Sequence, residues 1–364
     1  MAFCNFQLNS ENAKKESLFT QKRIFAGLRY FAMFTVLGLA ILFYLTSTSE
    51  TFAALSKLKW PLLVSAAFLQ IVDIGFGAWR NHVLVRIIKP GVPPWLCFKA
   101  QLANEFGAAV TPGQSGGGPA WLFILYRGGI PVLSAAAVSV LVFLTTLLFF
   151  LITTAISILF IDDRISSGIL LSLLHYGFIT CSILLIFILL SLWMPDRLSR
   201  ALDGIVQRLR TTERTWLVKS AALVEQALSG MQLYQNTGMQ LLRENRAAIF
   251  KTFLVTSLYY FGKLNLAFLL LLGLGLQVDY LAAMAVLALL RFILYFSPTP
   301  GGSGLGEFSI AALMSTIMPS HLLPIYTVLY RAFHLFLPAS FGAWILLSEL
   351  KKKIRNKTRI MSLL

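Results

Sequence analysis

From Val132 to Ile161 the chain runs for 30 residues without an ionisable side chain. A helix needs about 20 apolar residues to cross the hydrocarbon core of a bilayer, so this run is long enough to cross at a tilt. Backbone N–H and C=O groups in lipid must be satisfied by the chain itself, and a helix does this locally. Other runs read the same way: Ile24 to Leu45, Trp60 to Trp79, Gly168 to Met194, Ala247 to Leu272 and Leu322 to Leu347. Overall the chain is 57% hydrophobic and 13% charged, with a mean hydropathy of +0.75. The expected fold is therefore an all-α, polytopic membrane helix bundle forming one membrane domain.

Two segments break the pattern. Thr111-Pro112-Gly113-Gln114-Ser115-Gly116 and Thr299-Pro300-Gly301-Gly302-Ser303-Gly304 agree at five of six positions. Each divides an apolar stretch into arms too short to span, within residues 95–126 and 279–318. Such a stretch is expected to be a broken or re-entrant helical hairpin. In lipid that irregular backbone is tolerated only where it packs in protein or lines a cavity. Pro ends one helix, Gly turns the backbone, and Ser is suited to cap the next helix. The N-terminus of that next helix presents unpaired N–H groups and a positive dipole end, which attract an anion. The plainer reading is that the glycines only let helices pack closely.

The basic residues set the orientation. There are 31 Lys and Arg against 15 Asp and Glu, a formal charge of +16. In a membrane protein this excess points to cytoplasmic loops and anionic lipid, and no nucleic-acid partner is expected. With the N-terminus inside, the cytoplasmic set is the N-terminal segment, an Arg80-to-Lys89 connector, Arg127, the Arg197-to-Lys251 region and the tail 351–364. Only Lys57, Lys59 and Arg164 remain outside. Both termini are thus expected in the cytoplasm, in the inner (plasma) membrane. Three crossings separate the broken elements, so the halves 24–194 and 247–350 would form an inverted repeat, as in transporters with a midplane site. Between them, 195–246 places Leu198, Leu202, Ile205, Val206 and Leu209 at helical spacing among arginines. That pattern fits amphipathic helices at the cytoplasmic surface, or a solvated helical hairpin.

Charges at membrane depth are the remaining clue. Asp73, Glu105 and Glu307 are acidic; Lys263, Arg291 and Arg331 are basic. Buried ion pairs would account for them, but intramembrane charges also tend to face a polar path. Arg291 and Glu307 lie on the two arms of the second broken element, which would bring them into one cavity. Lys99 and Lys251 are expected to snorkel. The candidate binding set is thus Thr111, Pro112, Gly113, Ser115, Gly116, Pro300, Gly301, Gly302, Ser303 and Gly304, with these six charged residues.

Enzyme signatures are weak. Gly113-Gln114-Ser115-Gly116-Gly117 fits G-x-S-x-G, but no strand precedes it, and the second copy has Leu305 where Gly is required. No metal or nucleotide motif occurs, and Cys4, Cys97 and Cys181 suggest no disulfide framework. No enzyme and no cofactor are expected.

Pro298-Thr-Pro-Gly-Gly-Ser-Gly-Leu-Gly-Glu307, the earlier Thr111 phrase and Arg127-Gly-Gly-Ile-Pro131 together resemble the lysylphosphatidylglycerol synthase transmembrane-region family. The resemblance runs from about Ile24 to Leu350. It implies a flippase-like protein that moves a charged lipid head group, anionic or zwitterionic, between leaflets. The soluble aminoacyl-transfer domain of bifunctional members is absent from this sequence, so lipid synthesis is not implied. The Asp-Arg pair of many relatives is replaced here within Val142–Phe149. An anion channel or a secondary transporter for a small anionic solute is the alternative.

Overall fold

The computed structural model describes residues 21–161, 168–193 and 238–361. Most of the amphipathic region, including its arginine cluster, lies outside the described residues. The described residues are helical and contain no strand. Twelve helices organise them: α1 (Gln21–Thr46), α2 (Ser49–Ser56), α3 (Trp60–Ile88), α4 (Pro94–Val110), α5 (Gly117–Arg127), α6 (Val132–Ile161), α7 (Gly168–Trp193), α8 (Arg246–Gly273), α9 (Tyr280–Tyr295), α10 (Leu305–Met314), α11 (Leu323–Arg331) and α12 (Leu337–Met361). A single π turn, Ala332–Phe336, joins α11 to α12.

Among the described residues, five stretches are long and apolar enough to cross a membrane: Trp60–Ile88, Val132–Leu159, Leu171–Leu190, Arg246–Gly273 and Ser320–Glu349. The first helix bends by 109° into α2, just past Leu45, where the first apolar run ends. Side chains such as Val36, Phe68, Ile183 and Phe187 remain exposed on the bundle surface, as expected of residues that face lipid tails. The interior is apolar too. One cluster packs α8, α9, α10 and α11 around Leu270, Val286, Ile310 and Tyr326. Another packs α3, α4, α5, α6 and α12 around Leu84, Phe106, Ile124 and Leu346.

Small residues set the closest approaches. A methyl group on Gly262 of α8 would overlap the Asp73 carboxylate of α3, and one on Gly77 would lie 3.0 Å from the Tyr259 ring. Asp73 faces Gly262 and Gly77 faces Tyr259, so α3 and α8 run antiparallel. Gly107 likewise abuts the Gly116 carbonyl, Gly117 abuts Asn104, and Gly128 abuts Leu96. That register folds α4 back along α5, making the first broken element a re-entrant hairpin over Pro94–Arg127. The second broken element has the 16-residue α9 and the 10-residue α10 as its arms.

Two expectations are corrected here. Arg80 does not lie in a basic connector, because α3 continues to Ile88 and carries Arg80 inside the bundle, 8% exposed. Trp79 looked like a boundary because the polar residues begin there, yet the helix needs no apolar side chains where its neighbours are protein. Lys99 does not snorkel: its Nζ lies 3.2 Å from Glu349 of α12, which also pairs with Arg127 at 3.8 Å. Lys251 packs over the Trp79 ring at 5.5 Å.

Candidate substrate cavity and the two glycine turns

Both glycine phrases fold into the same local turn. Pro112–Gln114 and Pro300–Gly302 are single 3-10 turns, and the third residue of each phrase has positive φ: Gly113 at (59°, 22°) and Gly301 at (56°, 17°). Only glycine adopts that region at little steric cost. The two turns touch. Gly113 N–H donates to the Pro298 carbonyl at 2.8 Å, and Gln114 Nε2 donates to the carbonyls of Leu294 (2.9 Å) and Tyr295 (3.2 Å).

Beyond the turn the phrases diverge. In the first, the Thr111 hydroxyl accepts the Gly116 N–H at 2.7 Å, and Ser115 is exposed. In the second, Glu307 Oε2 accepts the Gly304 N–H at 2.6 Å. Neither serine therefore caps the following helix, contrary to the sequence expectation. Ser303 instead meets Thr35 of α1, hydroxyl to hydroxyl, at 2.8 Å.

Glu307 and Arg291 do not pair either, which corrects the hairpin expectation. Glu307 is 1% exposed, and its Oε1 lies 3.1 Å from Arg331 Nε in a close ion pair that lacks hydrogen-bond alignment. Arg331 Nη1 and Nη2 donate to the carbonyls of Gly301 and Gly302, each at 2.7 Å. Guanidinium geometry explains the choice, since two of its nitrogens bond the carbonyls while its charge faces the carboxylate. The second turn is thus filled by the protein's own charges.

The first turn faces open space. A cavity of about 440 Å³ is lined by Gly113, Gln114 and Gly118 together with Arg80, Glu105, Tyr259, Tyr260, Tyr295 and Arg291. Gly118 lies in the first turn of α5, where backbone N–H groups have no helical acceptor. The Arg80 guanidinium lies 4.4 Å from the centroid of the Tyr259 ring and 5.8 Å from that of Tyr260. Its Nη1 donates to Thr146 Oγ1 at 3.4 Å, and its Nε is buried without a partner. Glu105 Oε1 accepts from Gln101 Nε2 and from the Tyr259 hydroxyl, both at 3.0 Å. Arg291 is half-buried, and among the described residues its guanidinium makes no ion pair or hydrogen bond.

A smaller chamber of about 60 Å³ adjoins the cavity. The two share Glu105, Gln114, Arg291 and Tyr295, and the chamber adds Gly301, Arg331 and His334. His334 is 5% exposed, and neither ring nitrogen has a hydrogen-bond partner.

The remaining candidates separate from this site. Thr111, Pro112, Ser115 and Gly116 support the first turn, and Pro300, Gly302, Ser303 and Gly304 belong to the filled second turn; none lines the cavity. Asp73 and Lys263 are 0% and 1% exposed, outside both chambers, and Lys263 Nζ sits 4.8 Å from the Tyr259 ring. Sequence reasoning missed Arg80, Gln114 and the tyrosines. Arg80 was within reach, since it lies two helical turns beyond Asp73 and so on the same face of α3.

Residues 28–342 match the family described as Lysylphosphatidylglycerol synthase TM region. The chain is also similar to a UPF0104 membrane protein of Archaeoglobus fulgidus, 24% identical over 308 residues that cover 84% of this chain and 91% of the relative. With a multi-pass helical bundle, two glycine turns in contact and this match across most of its length, the chain belongs to the Lysylphosphatidylglycerol synthase TM region family.

Proposed function

We propose that this protein moves a phospholipid or a lipid-linked head group between leaflets, with the head group passing through the cavity between α3, α4, α5, α6, α8 and α9. The observation that carries the reading is the unpaired Arg291 beside Arg80 on the wall of a polar cavity in an apolar bundle. Intramembrane cations without protein partners are costly and mark substrate paths.

The depth of the cavity mouth supports a lipid over a small solute. Gly113 and Phe296 both line the cavity and are exposed at its rim. Beside them, Tyr295 stacks on Phe143 with ring centroids 6.1 Å apart. Phe143 lies about 17 Å along α6, a helix of about 45 Å, so the rim falls at the depth of the lipid tails. A head group could enter sideways there while its tails stay in the bilayer.

We further propose that the protein resides in the inner membrane with both termini in the cytoplasm, from the Lys/Arg asymmetry, and that the two halves are an inverted repeat. Reconstitution with fluorescent lipids of differing head-group charge tests the transport reading. Leaflet exchange that depends on Arg291 is the expected result. Flux of a small anion without lipid exchange would favour the channel or solute-transporter alternative.

A further inference from the structure

Building on that transport reading, we infer that Asp73 and Lys263 form an intramembrane proton site, loaded and unloaded in step with the head group in the cavity. Both lie near the middle of long apolar helices: Asp73 is the fourteenth of the 29 residues of α3, and Lys263 the eighteenth of the 28 of α8. The Asp73 carboxylate abuts Gly262, the chain neighbour of Lys263. Yet the two charges do not close on each other. Glu307 and Arg331 approach to 3.1 Å and Lys99 and Glu349 to 3.2 Å, whereas Asp73 and Lys263 make no ion-pair contact among the described residues. Both Asp73 oxygens and the Lys263 nitrogen are buried without a hydrogen-bond partner. Gln70, one helical turn before Asp73 and fully buried, has neither amide atom bonded. A structural ion pair offsets the cost of its burial by contact and hydrogen bonds. This pair has neither, and ionisable side chains left unpaired at membrane depth are the mark of a proton relay.

Tyr259 joins the pair to the cavity. Its ring lies 4.8 Å from Lys263 Nζ, and its hydroxyl donates to Glu105 Oε1 on the cavity wall. Lys263, Arg291 of α9 and Glu105 of α4 act electrostatically on Asp73. Glu105, Arg291, Asp73 and Arg80 of α3 act on Lys263, which in turn acts on His334 of the π turn. With His334 neutral, Arg80, Lys263 and Arg291 against Asp73 and Glu105 leave one positive charge. A phosphate-bearing head group in the cavity cancels that charge and so favours proton uptake by the pair. In the step, the Asp73 carboxylate takes a proton from water and becomes the acid beside the Lys263 ammonium. When the head group leaves, the same proton returns to water, and no other bond changes. By reciprocity, the loaded pair holds the head group more tightly than the unloaded one.

Infrared difference spectra read the proton directly. Purified full-length protein in detergent is titrated through the neutral pH range, with and without short-chain phosphatidylglycerol. A carboxylic-acid carbonyl band should grow as pH falls, grow further when the lipid is added, and be lost in Asp73→Asn. Lys263→Met should shift the pH at which the band appears. A wild-type protein with no titrating acid band, or with a band indifferent to the lipid, would overturn the inference, and neither result requires a variant. A band that survives in Asp73→Asn, or that Lys263→Met leaves unmoved, would place the proton elsewhere and overturn it also. Leaflet exchange is scored separately in vesicles of phosphatidylcholine and phosphatidylglycerol under an imposed pH gradient, with the membrane potential clamped. The gradient should bias the leaflet distribution of labelled phosphatidylglycerol, and the bias should vanish in Asp73→Asn. An intact lipid-sensitive band with no exchange under any condition would remove the transport reading alone. Wild-type exchange that ignores the pH gradient would overturn the proton inference and leave the transport reading standing.

Discussion

The Gly113 N–H donates to the Pro298 carbonyl at 2.8 Å, joining the turns of two segments that lie in opposite halves of the chain. Each turn depends on a glycine in the left-handed region, and each presents backbone that helices cannot satisfy. The contact gives that backbone a partner inside the bundle. It also places Gln114 across the gap, bonded to two carbonyls at the end of α9.

Gly113→Ala and Gly301→Ala should each destabilise the protein by about 1–2 kcal/mol, because both φ angles are positive. Space is not the issue at Gly113, since nothing lies within 4 Å of an added methyl. Gly118→Ala, with equal room and no positive φ, is the control and should leave thermal unfolding in detergent nearly unchanged.

Glu307→Gln should be severe, about 3–5 kcal/mol, because it leaves Arg331 buried without its counter-charge. Restoring neutrality with Arg331→Met should recover only part of this loss, since the Gly301 and Gly302 carbonyls would remain without donors. Full recovery in the double variant, read by thermal unfolding, would show that those two bonds matter little.

Arg291→Gln should behave in the opposite way. It breaks no bond among the described residues, so the melting temperature should hold while lipid exchange falls. Arg291→Lys should retain part of the exchange unless two nitrogens grip the phosphate together. Loss of folded protein in Arg291→Gln would count against a substrate role.

Arg80→Gln should lose both properties. The guanidinium packs on Tyr259 and bonds Thr146, so about 0.5–2 kcal/mol of stability goes with it. Exchange should drop as well, because Arg80 faces the same cavity as Arg291. Measuring both variants in one assay separates packing from binding.

Gly306→Ala tests how tightly the second turn is filled. A methyl there would overlap the Arg331 guanidinium, forcing it off its two carbonyls. Destabilisation comparable to that of Glu307→Gln is expected in thermal unfolding.

The sequence by itself determined the class of fold. Runs such as Val132–Ile161 can satisfy their backbone in lipid only within themselves, so length and hydropathy were enough to find the spans, though not the end of α3. The repeated phrase also fixed where the chain must turn, because Pro and Gly act through local backbone geometry, and both turns form with matching angles. Partner choice was not local. Glu307 is three residues from Gly304 and sixteen from Arg291, and nothing in that spacing reveals Arg331, which arrives from α11. Arg80 read as a loop charge because hydropathy averages over side chains and cannot distinguish a helix end from a helix face turned toward a cavity. The asymmetry of the phrases is tertiary as well. The same turn is filled where Arg331 reaches it and open where α3, α6 and α8 stand back, and that difference depends on which helix packs alongside.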